Sequence, residues 1–191
     1  MSIRKRLSRF LHDEQGSMVV EGMIMLPILI WCYVGTFVFF DAFRAQSTNV
    51  KAAYVIGDTL SRETGYVTPQ YMDSMWNLHQ FLANGNPGVD LRITVFRFEL
   101  ATNSYRVRWS QGRGGPPALT NATLAAVRDN LPDMSDMDIA ILTETWVNYT
   151  PRYEVGLTDF AFENFVVTRP RFAPQLCWNT LNNGGPATAV C

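Results

Sequence analysis

The chain has 191 residues, of which 47% are hydrophobic and 17% are charged, and its formal net charge is −1 at pH 7. This length accommodates one modest domain in addition to a single apolar segment. The 16 lysine and arginine residues are balanced by 17 acidic residues, so the composition excludes the broad basic surface of a nucleic-acid-binding protein.

Basic residues are concentrated at the start of the chain. Arg4, Lys5, Arg6 and Arg9 precede the apolar segment, whereas Asp41 follows it. Lysine and arginine are enriched at the cytoplasmic ends of membrane-spanning helices. The asymmetry therefore predicts a cytoplasmic N-terminus, with everything after the apolar segment on the other side of the membrane.

The apolar segment, residues 22–40, contains no charged side chain. As an α-helix it would be roughly 28 Å long, about the thickness of the hydrocarbon core of a bilayer, which favours a single membrane-spanning helix. A signal peptide is one alternative, but no small-x-small cleavage site follows Phe40. A buried core helix is another, but the segment has no alternating polar residues.

The stretch FLHDEQGSMVVEGMIMLPILIWCYVGTFVFFDAFRAQ resembles the N-terminal signature of the TadE and TadG family of tight-adherence pilus pseudopilins. Gly16, Glu21 and Pro27 occupy the places of the glycine, the glutamate and the early proline of that signature. Gly22 departs from it, because an aromatic residue commonly follows the glutamate, and Ser17 is a small polar first residue. Near the C-terminus, FENFVVTRPRFAP resembles the last strand of the family's head.

This resemblance implies a function. The chain would be a minor pilin-like subunit that acts in assembly or initiation of a tight-adherence pilus, after a prepilin peptidase has cut between Gly16 and Ser17. Its partners would be the membrane, that peptidase, and other pilin and pilus-assembly subunits, with no nucleic acid, cofactor or small-molecule substrate. It would lie in a bacterial inner membrane with its head in the periplasm. The alternative is an unprocessed single-pass membrane protein whose head binds a ligand or an envelope partner.

The spacing of Gly16 and Glu21 has a physical interpretation. Cleavage would give Ser17 a new α-amino group, which is largely positive near pH 7. In a bundle of subunits, this ammonium could pair with the Glu21 carboxylate of a neighbour and thereby set the packing register. Alternatively, Glu21 simply lies among the lipid headgroups, where an acid at a helix start complements the helix dipole.

Pro27 lies inside the apolar segment and has no amide hydrogen to donate to the carbonyl of Met23. The helix is expected to kink or loosen there. The joint could assist movement from bilayer to filament, or it could be an ordinary kink in a membrane helix.

Helical spacing continues beyond the membrane, so the sequence predicts one helix from Ser17 to about Arg62. Its predicted apolar stripe comprises Phe43, Val50, Tyr54, Gly57 and Leu60. The domain prediction is a leader at residues 1–16, a membrane helix at 17–40, a stalk helix at 41–64 and a head at 65–191.

The head is predicted to be α+β and pilin-like, with short helices and a small antiparallel sheet. A helix should begin at Thr68 and Pro69, and a shorter one is predicted at about residues 120–131. Strands are predicted at residues 91–100, 104–113, 138–149 and 164–169. The parity of apolar residues in the first strand changes between Val95 and Phe96, which indicates a bulge or burial on both faces.

No enzymatic activity is predicted, because the two histidines, His12 and His79, lack the spacing of a catalytic or metal-binding set. His79 is interpreted as a structural residue. Three carboxylates, Asp133, Asp136 and Asp138, could offer oxygens to calcium, but a standard calcium loop also needs a glycine and a distal glutamate. The preferred interpretation of these acids is a solvated turn.

Three cysteines are present. Cys32 lies in the apolar segment and is interpreted as a small apolar residue. Cys177 and Cys191 lie in the head, where an oxidising compartment would favour a disulfide between them. Two free thiols or an intermolecular bond are the alternatives.

Overall fold

The longest element of the computed structural model, which describes residues 17–83 and 88–191, is helix α1 (Ser17–Arg62). Its 46 residues correspond to a length of roughly 70 Å. The prediction of one helix from Ser17 to about Arg62 is confirmed. By compactness the chain divides into two units: the described part of α1 up to Ala42 together with the loop Pro151–Thr158, and the remainder of the described chain.

A four-stranded antiparallel sheet forms the centre of the second unit. Its strands are β1 (Val89–Glu99), β2 (Ser104–Arg113), β3 (Ile139–Tyr149) and β4 (Phe160–Thr168), in the order β2-β1-β3-β4. The predicted hairpin of β1 and β2 is confirmed, and so is the bulge, because the β1–β2 register shifts between Val95 and Phe96. The last large strand begins earlier than residue 164, at Phe160.

Two short helices accompany the sheet. Helix α2 (Pro69–Leu82) begins as predicted, with the Thr68 side chain accepting a hydrogen bond from the Tyr71 amide at 3.2 Å. Helix α3 (Asn121–Ala126) is shorter than predicted and is followed by a 3₁₀ turn, Arg128–Asn130. A proline disfavours the helical conformation in the residue before it, and Leu131, which precedes Pro132, is extended.

Each face of the sheet buries a separate core, because the bulge moves the apolar side chains of β1 from one face to the other. On one face, Ile56 and Leu60 of α1 pack with Leu91, Ile93 and Ile141. On the other face, Phe96, Phe98, Tyr105, Leu124 and Leu142 pack together. The α+β architecture of the head is therefore as predicted.

The predicted apolar stripe of α1 is wrong for two of its residues. Phe43 and Tyr54 are 67% and 59% exposed, whereas Leu60 is buried as expected. The buried face includes Gly57, as predicted, but otherwise runs through Ala52, Ala53 and Ile56. Large aromatic side chains on that face would hold the helix too far from the sheet.

A buried polar contact joins α1, α2 and β4. The His79 ring nitrogen Nε2 lies 3.0 Å from Asn49 Oδ1, and Asn49 Nδ2 donates to the carbonyl of Phe162 at 3.3 Å. Both side chains are buried, and His79 Nδ1 finds no hydrogen-bond partner among the described residues. Burial disfavours the charged imidazolium and lowers the pKa of His79 from 6.5 to about 4.

Acid should therefore destabilise the head. Below about pH 6.5 the unfolded chain binds a proton at His79, whereas the folded chain remains neutral down to about pH 4. This lowering of the His79 pKa corresponds to about 3 kcal/mol of unfolding free energy. The contribution is fully present above pH 6.5 and is lost as the pH falls towards 4. Denaturant unfolding of the full chain in detergent at a series of pH values measures this loss.

The matched variants are His79→Gln and His12→Gln, because these are the two histidines of the chain. His79→Gln should flatten the pH dependence between pH 6.5 and 4, since glutamine does not titrate. His12→Gln should retain it. An equal slope in both variants would show that another group causes the effect.

The C-terminal segment is held by a disulfide between Cys177 and Cys191, whose Cα atoms are 4.4 Å apart. The enclosed residues include a two-stranded sheet of β5 (Trp178–Asn179) and β6 (Ala189–Val190). Next to it, Val67 donates its amide to the Cys177 carbonyl at 2.9 Å. The predicted intramolecular pairing of the two cysteines is thus present.

Removing this disulfide should lower the unfolding free energy by about 3 kcal/mol, because the unfolded chain regains the entropy of an open loop. The double variant Cys177→Ala with Cys191→Ala is compared with Cys32→Ala, which lies outside the bridge. Denaturation midpoints measured without reductant give the difference. Equal midpoints for the two variants would contradict the expectation.

Candidate functional site

The N-terminal part of α1 exposes an unusual amount of apolar surface. Between Met18 and Phe40, the large apolar side chains of this surface are 49–82% exposed. Soluble proteins rarely expose contiguous apolar patches of this size. Only 6% of the most apolar 18-residue stretch of this helix is buried. The helix is thus long enough and apolar enough to cross a membrane. The exposed residues are Met18, Val19, Val20, Met23, Ile24, Met25, Leu26, Ile28, Leu29, Ile30, Trp31, Tyr33, Phe37, Phe39 and Phe40.

Polar groups in this part of α1 are few, and one of them is satisfied within the helix. The Thr36 hydroxyl donates to the carbonyl of Cys32 at 2.8 Å, which lowers the cost of placing it in lipid. The helix continues through Pro27. A kink at Pro27 stays a prediction.

Glu21 lies one helical turn after Ser17, so the two residues lie on the same side of α1. The Glu21 side chain is exposed. A Cβ atom added at the neighbouring Gly22 would meet nothing within 4 Å among the described residues, so packing against them does not require glycine there. Gly16 and the predicted leader, residues 1–16, lie outside the described residues, as does the side chain of Ser17.

Two of the three aspartates considered for calcium are used in other contacts. Asp136 Oδ1 accepts a hydrogen bond from the Leu100 amide at 2.8 Å, and Asp138 Oδ2 lies 2.8 Å from Arg169 Nη2. No group of three metal-ligating side chains occurs within residues 17–83 and 88–191. Asp136 and Asp138 thus each have a partner within the chain.

A polar cleft of about 430 Å³ lies between the β1–β2 turn and the 3₁₀ turn that follows α3. The Arg128 guanidinium donates to the main-chain carbonyl and the side-chain oxygen of Asn103 at 2.6 and 2.7 Å. The Tyr105 hydroxyl donates to Pro132 at 2.8 Å, and burial together with the Asp133 charge raises the pKa of Tyr105. Its described lining carries the Arg128 guanidinium, the Tyr105 hydroxyl and the carboxylates of Asp129 and Asp133, groups that can bind a polar ligand.

Comparison with protein-family models, with curated proteins and with solved structures finds no match for the chain. The roles of Ser17, Glu21 and Pro27 therefore depend on the sequence pattern and on their positions along α1.

Sequence reasoning did not identify two features of the head. The cleft depends on the left-handed conformation of Asn103, with φ 45°, which presents both of its oxygens to Arg128. Asn49 is one of several polar residues between the apolar positions of the predicted stripe, and the spacing does not mark it as buried.

A charge in the middle of the exposed apolar surface should prevent stable membrane insertion. Leu29→Arg places a charge near the centre of the span, where it costs about 3 kcal/mol of apparent insertion free energy. The control is Gln46→Arg, at an exposed position further along the same helix. The fraction of chain that remains in membranes after alkaline carbonate washing should fall for Leu29→Arg alone. Equal retention of both variants would argue against a membrane span.

Proposed function

We propose that this chain is a minor pilin-like subunit, or pseudopilin, of a tight-adherence pilus that acts in assembly or initiation of the filament. In this proposal a prepilin peptidase cuts after Gly16, and α1 anchors the mature subunit in the bacterial inner membrane. The N-terminus faces the cytoplasm and the head lies in the periplasm. The observation that carries the proposal is α1 itself, whose first half exposes apolar side chains and whose last part is buried against an antiparallel sheet.

A helix of this kind suits a subunit that exchanges one apolar environment for another. The exposed surface between Met18 and Phe40 can contact lipid in the membrane or the helices of other subunits in a filament. A transfer between the two environments leaves the apolar surface covered, so it does not carry the cost of exposing that surface to water.

Glu21 would make the packing specific. After cleavage, the Ser17 ammonium of one subunit would pair with the Glu21 carboxylate of a neighbour, in surroundings that exclude water. An unpaired charge in such surroundings is costly, so a misregistered neighbour would be rejected. The exposed position of Glu21, one turn from Ser17, supports this role.

The disulfide between Cys177 and Cys191 supports a location outside the cytoplasm, because disulfides persist in oxidising compartments such as the periplasm.

Cleavage is tested by the intact mass of the chain. Co-expression with a prepilin peptidase of a tight-adherence system should remove residues 1–16, and Gly16→Leu should block the removal, because a bulky side chain does not fit in place of glycine. Omission of the peptidase should leave the full mass. A chain that keeps residues 1–16 in the presence of an active peptidase would refute the proposal.

The role of Glu21 is tested separately from cleavage. Glu21→Gln should still be cut, but its cross-linking to other pilus subunits should decrease, since the amide cannot pair with the ammonium. Glu163→Gln provides the control, because Glu163 is an exposed glutamate on β4. The proposed pairing is wrong if Glu21→Gln cross-links as well as Glu163→Gln does.

The polar cleft favours a second candidate function, that of an unprocessed single-pass membrane protein with a ligand-binding or envelope-binding head. The same mass measurement separates the two, because an anchor would retain its first residues and a pseudopilin would lose them.

A further inference from the structure

The loop Pro151–Thr158 connects β3 to β4 and forms one compact unit with the described part of α1 up to Ala42. Its sequence is Pro-Arg-Tyr-Glu-Val-Gly-Leu-Thr. The Val155 amide donates to the Tyr153 carbonyl at 3.1 Å, and Gly156 has a left-handed φ of 97°. The loop therefore turns sharply within a few residues.

Burial on this part of α1 is confined to one stripe. Val38 and Ala42 are 1% and 7% exposed, and they lie one helical turn apart. Val34, Gly35 and Asp41 on the same side are partly buried. The adjacent aromatic residues Phe37, Phe39 and Phe40 remain 49–71% exposed. The loop is the other described segment of this compact unit, and we infer that it covers the stripe.

The position of this stripe corresponds to a particular depth in a bilayer. Val38 precedes the end of the apolar segment, Phe40, by two residues, or roughly 3 Å along the helix axis. The headgroup layer on each side of the hydrocarbon core is roughly 5–7 Å thick. A loop that covers Val38 and Ala42 would therefore lie in the headgroup layer, not in the middle of the hydrocarbon.

The exposed residues of the loop have the chemistry of that layer. Arg152, Tyr153 and Glu154 are exposed, with Tyr153 at 54%, whereas Val155 and Leu157 are partly buried. Tyrosine is enriched at the interface between membrane and water. Arginine binds phosphate through its planar guanidinium, and its aliphatic stem tolerates an apolar environment.

We propose that the loop Pro151–Thr158 is a second membrane contact, which lies in the headgroup layer where α1 leaves the bilayer, with Tyr153 at the lipid interface and Arg152 on lipid phosphates. A lipid surface is favoured as its partner because the loop belongs to the same compact unit as the exposed apolar surface of α1. The inference rests on the membrane span of the proposed function. The contact would fix the depth and the rotation of α1 in the membrane, so the subunit would have to release two contacts to leave the bilayer.

The test uses the full chain with Cys32→Ser and a single added cysteine, labelled with a fluorophore that is sensitive to polarity. The native disulfide is left intact by labelling without reductant. The probe is placed through Tyr153→Cys, and through Glu154→Cys as a second position in case the tyrosine is needed for folding. The chain is reconstituted in vesicles of zwitterionic and anionic phospholipids at low protein density.

The loop probes should emit at shorter wavelength in vesicles than in urea, and lipids that carry a spin label near the headgroup should quench them. A probe at Gln70→Cys, an exposed position on α2, should emit as in water and remain unquenched. A probe at Leu26→Cys, within the apolar segment, should be quenched most strongly by lipids labelled deep in the acyl chain.

The outcomes distinguish the lipid contact of the loop from the membrane span of α1. Unquenched loop probes with a quenched Leu26 probe would overturn the loop contact and leave the membrane span intact. An unquenched Leu26 probe would overturn both. A change in loop emission that occurs only at high protein density would assign the loop to a second copy of the chain and would also overturn the lipid contact.

Discussion

The close approach of α1 to the sheet at Gly57 is the constraint on which the arrangement of the head depends. A Cβ atom at Gly57 would lie 3.1 Å from Thr168 Cγ2, and the Thr168 hydroxyl is 3.4 Å from the Gly57 carbonyl. At the point of closest approach the helix residue must be small, and the buried alanines Ala52 and Ala53 precede Gly57 on this face, whereas Ile56 and Leu60 contribute larger side chains to the core. The close packing of α1 on the sheet also leaves the buried Thr143 hydroxyl without a hydrogen-bond partner within the described chain, which lowers the stability of the fold.

The same constraint explains why α1 has two kinds of surface. The part that packs on the sheet buries small residues together with Ile56 and Leu60, and there the aromatic side chains Phe43 and Tyr54 lie outside the contact. Between Met18 and Phe40 large apolar side chains occur on most sides of the helix, which is typical of a helix surrounded by lipid or by other helices. The helix continues without a break from the exposed apolar part to the part that packs on the sheet, because helical backbone hydrogen bonds are satisfied in water and in lipid alike.

The features that the sequence predicted best are those determined by residues close together along the chain. The cap at Thr68, the hairpin and the bulge between Val95 and Phe96 follow from local spacing, and each was predicted correctly. The contact face of α1 was predicted only in part. Which residues it buries depends on the distance between the helix and the sheet, and the helical spacing of apolar residues does not reveal that distance. The pair of Asn49 and His79 joins residues 30 positions apart. The cleft likewise requires a turn and a helix end that come together only in the folded chain.

The polar contacts of α1 also have a mechanical consequence. Asn49 donates to the Phe162 carbonyl, Thr168 approaches Gly57, and the amide of Arg171 donates to the Ser61 carbonyl at 2.7 Å. All three join α1 to β4 or to the segment just after it. Strand β4 lies at the edge of the sheet, where an unpaired strand invites pairing with another chain. The helix is bonded to this strand at two points and to the segment just after it at a third, and these contacts restrain the edge strand.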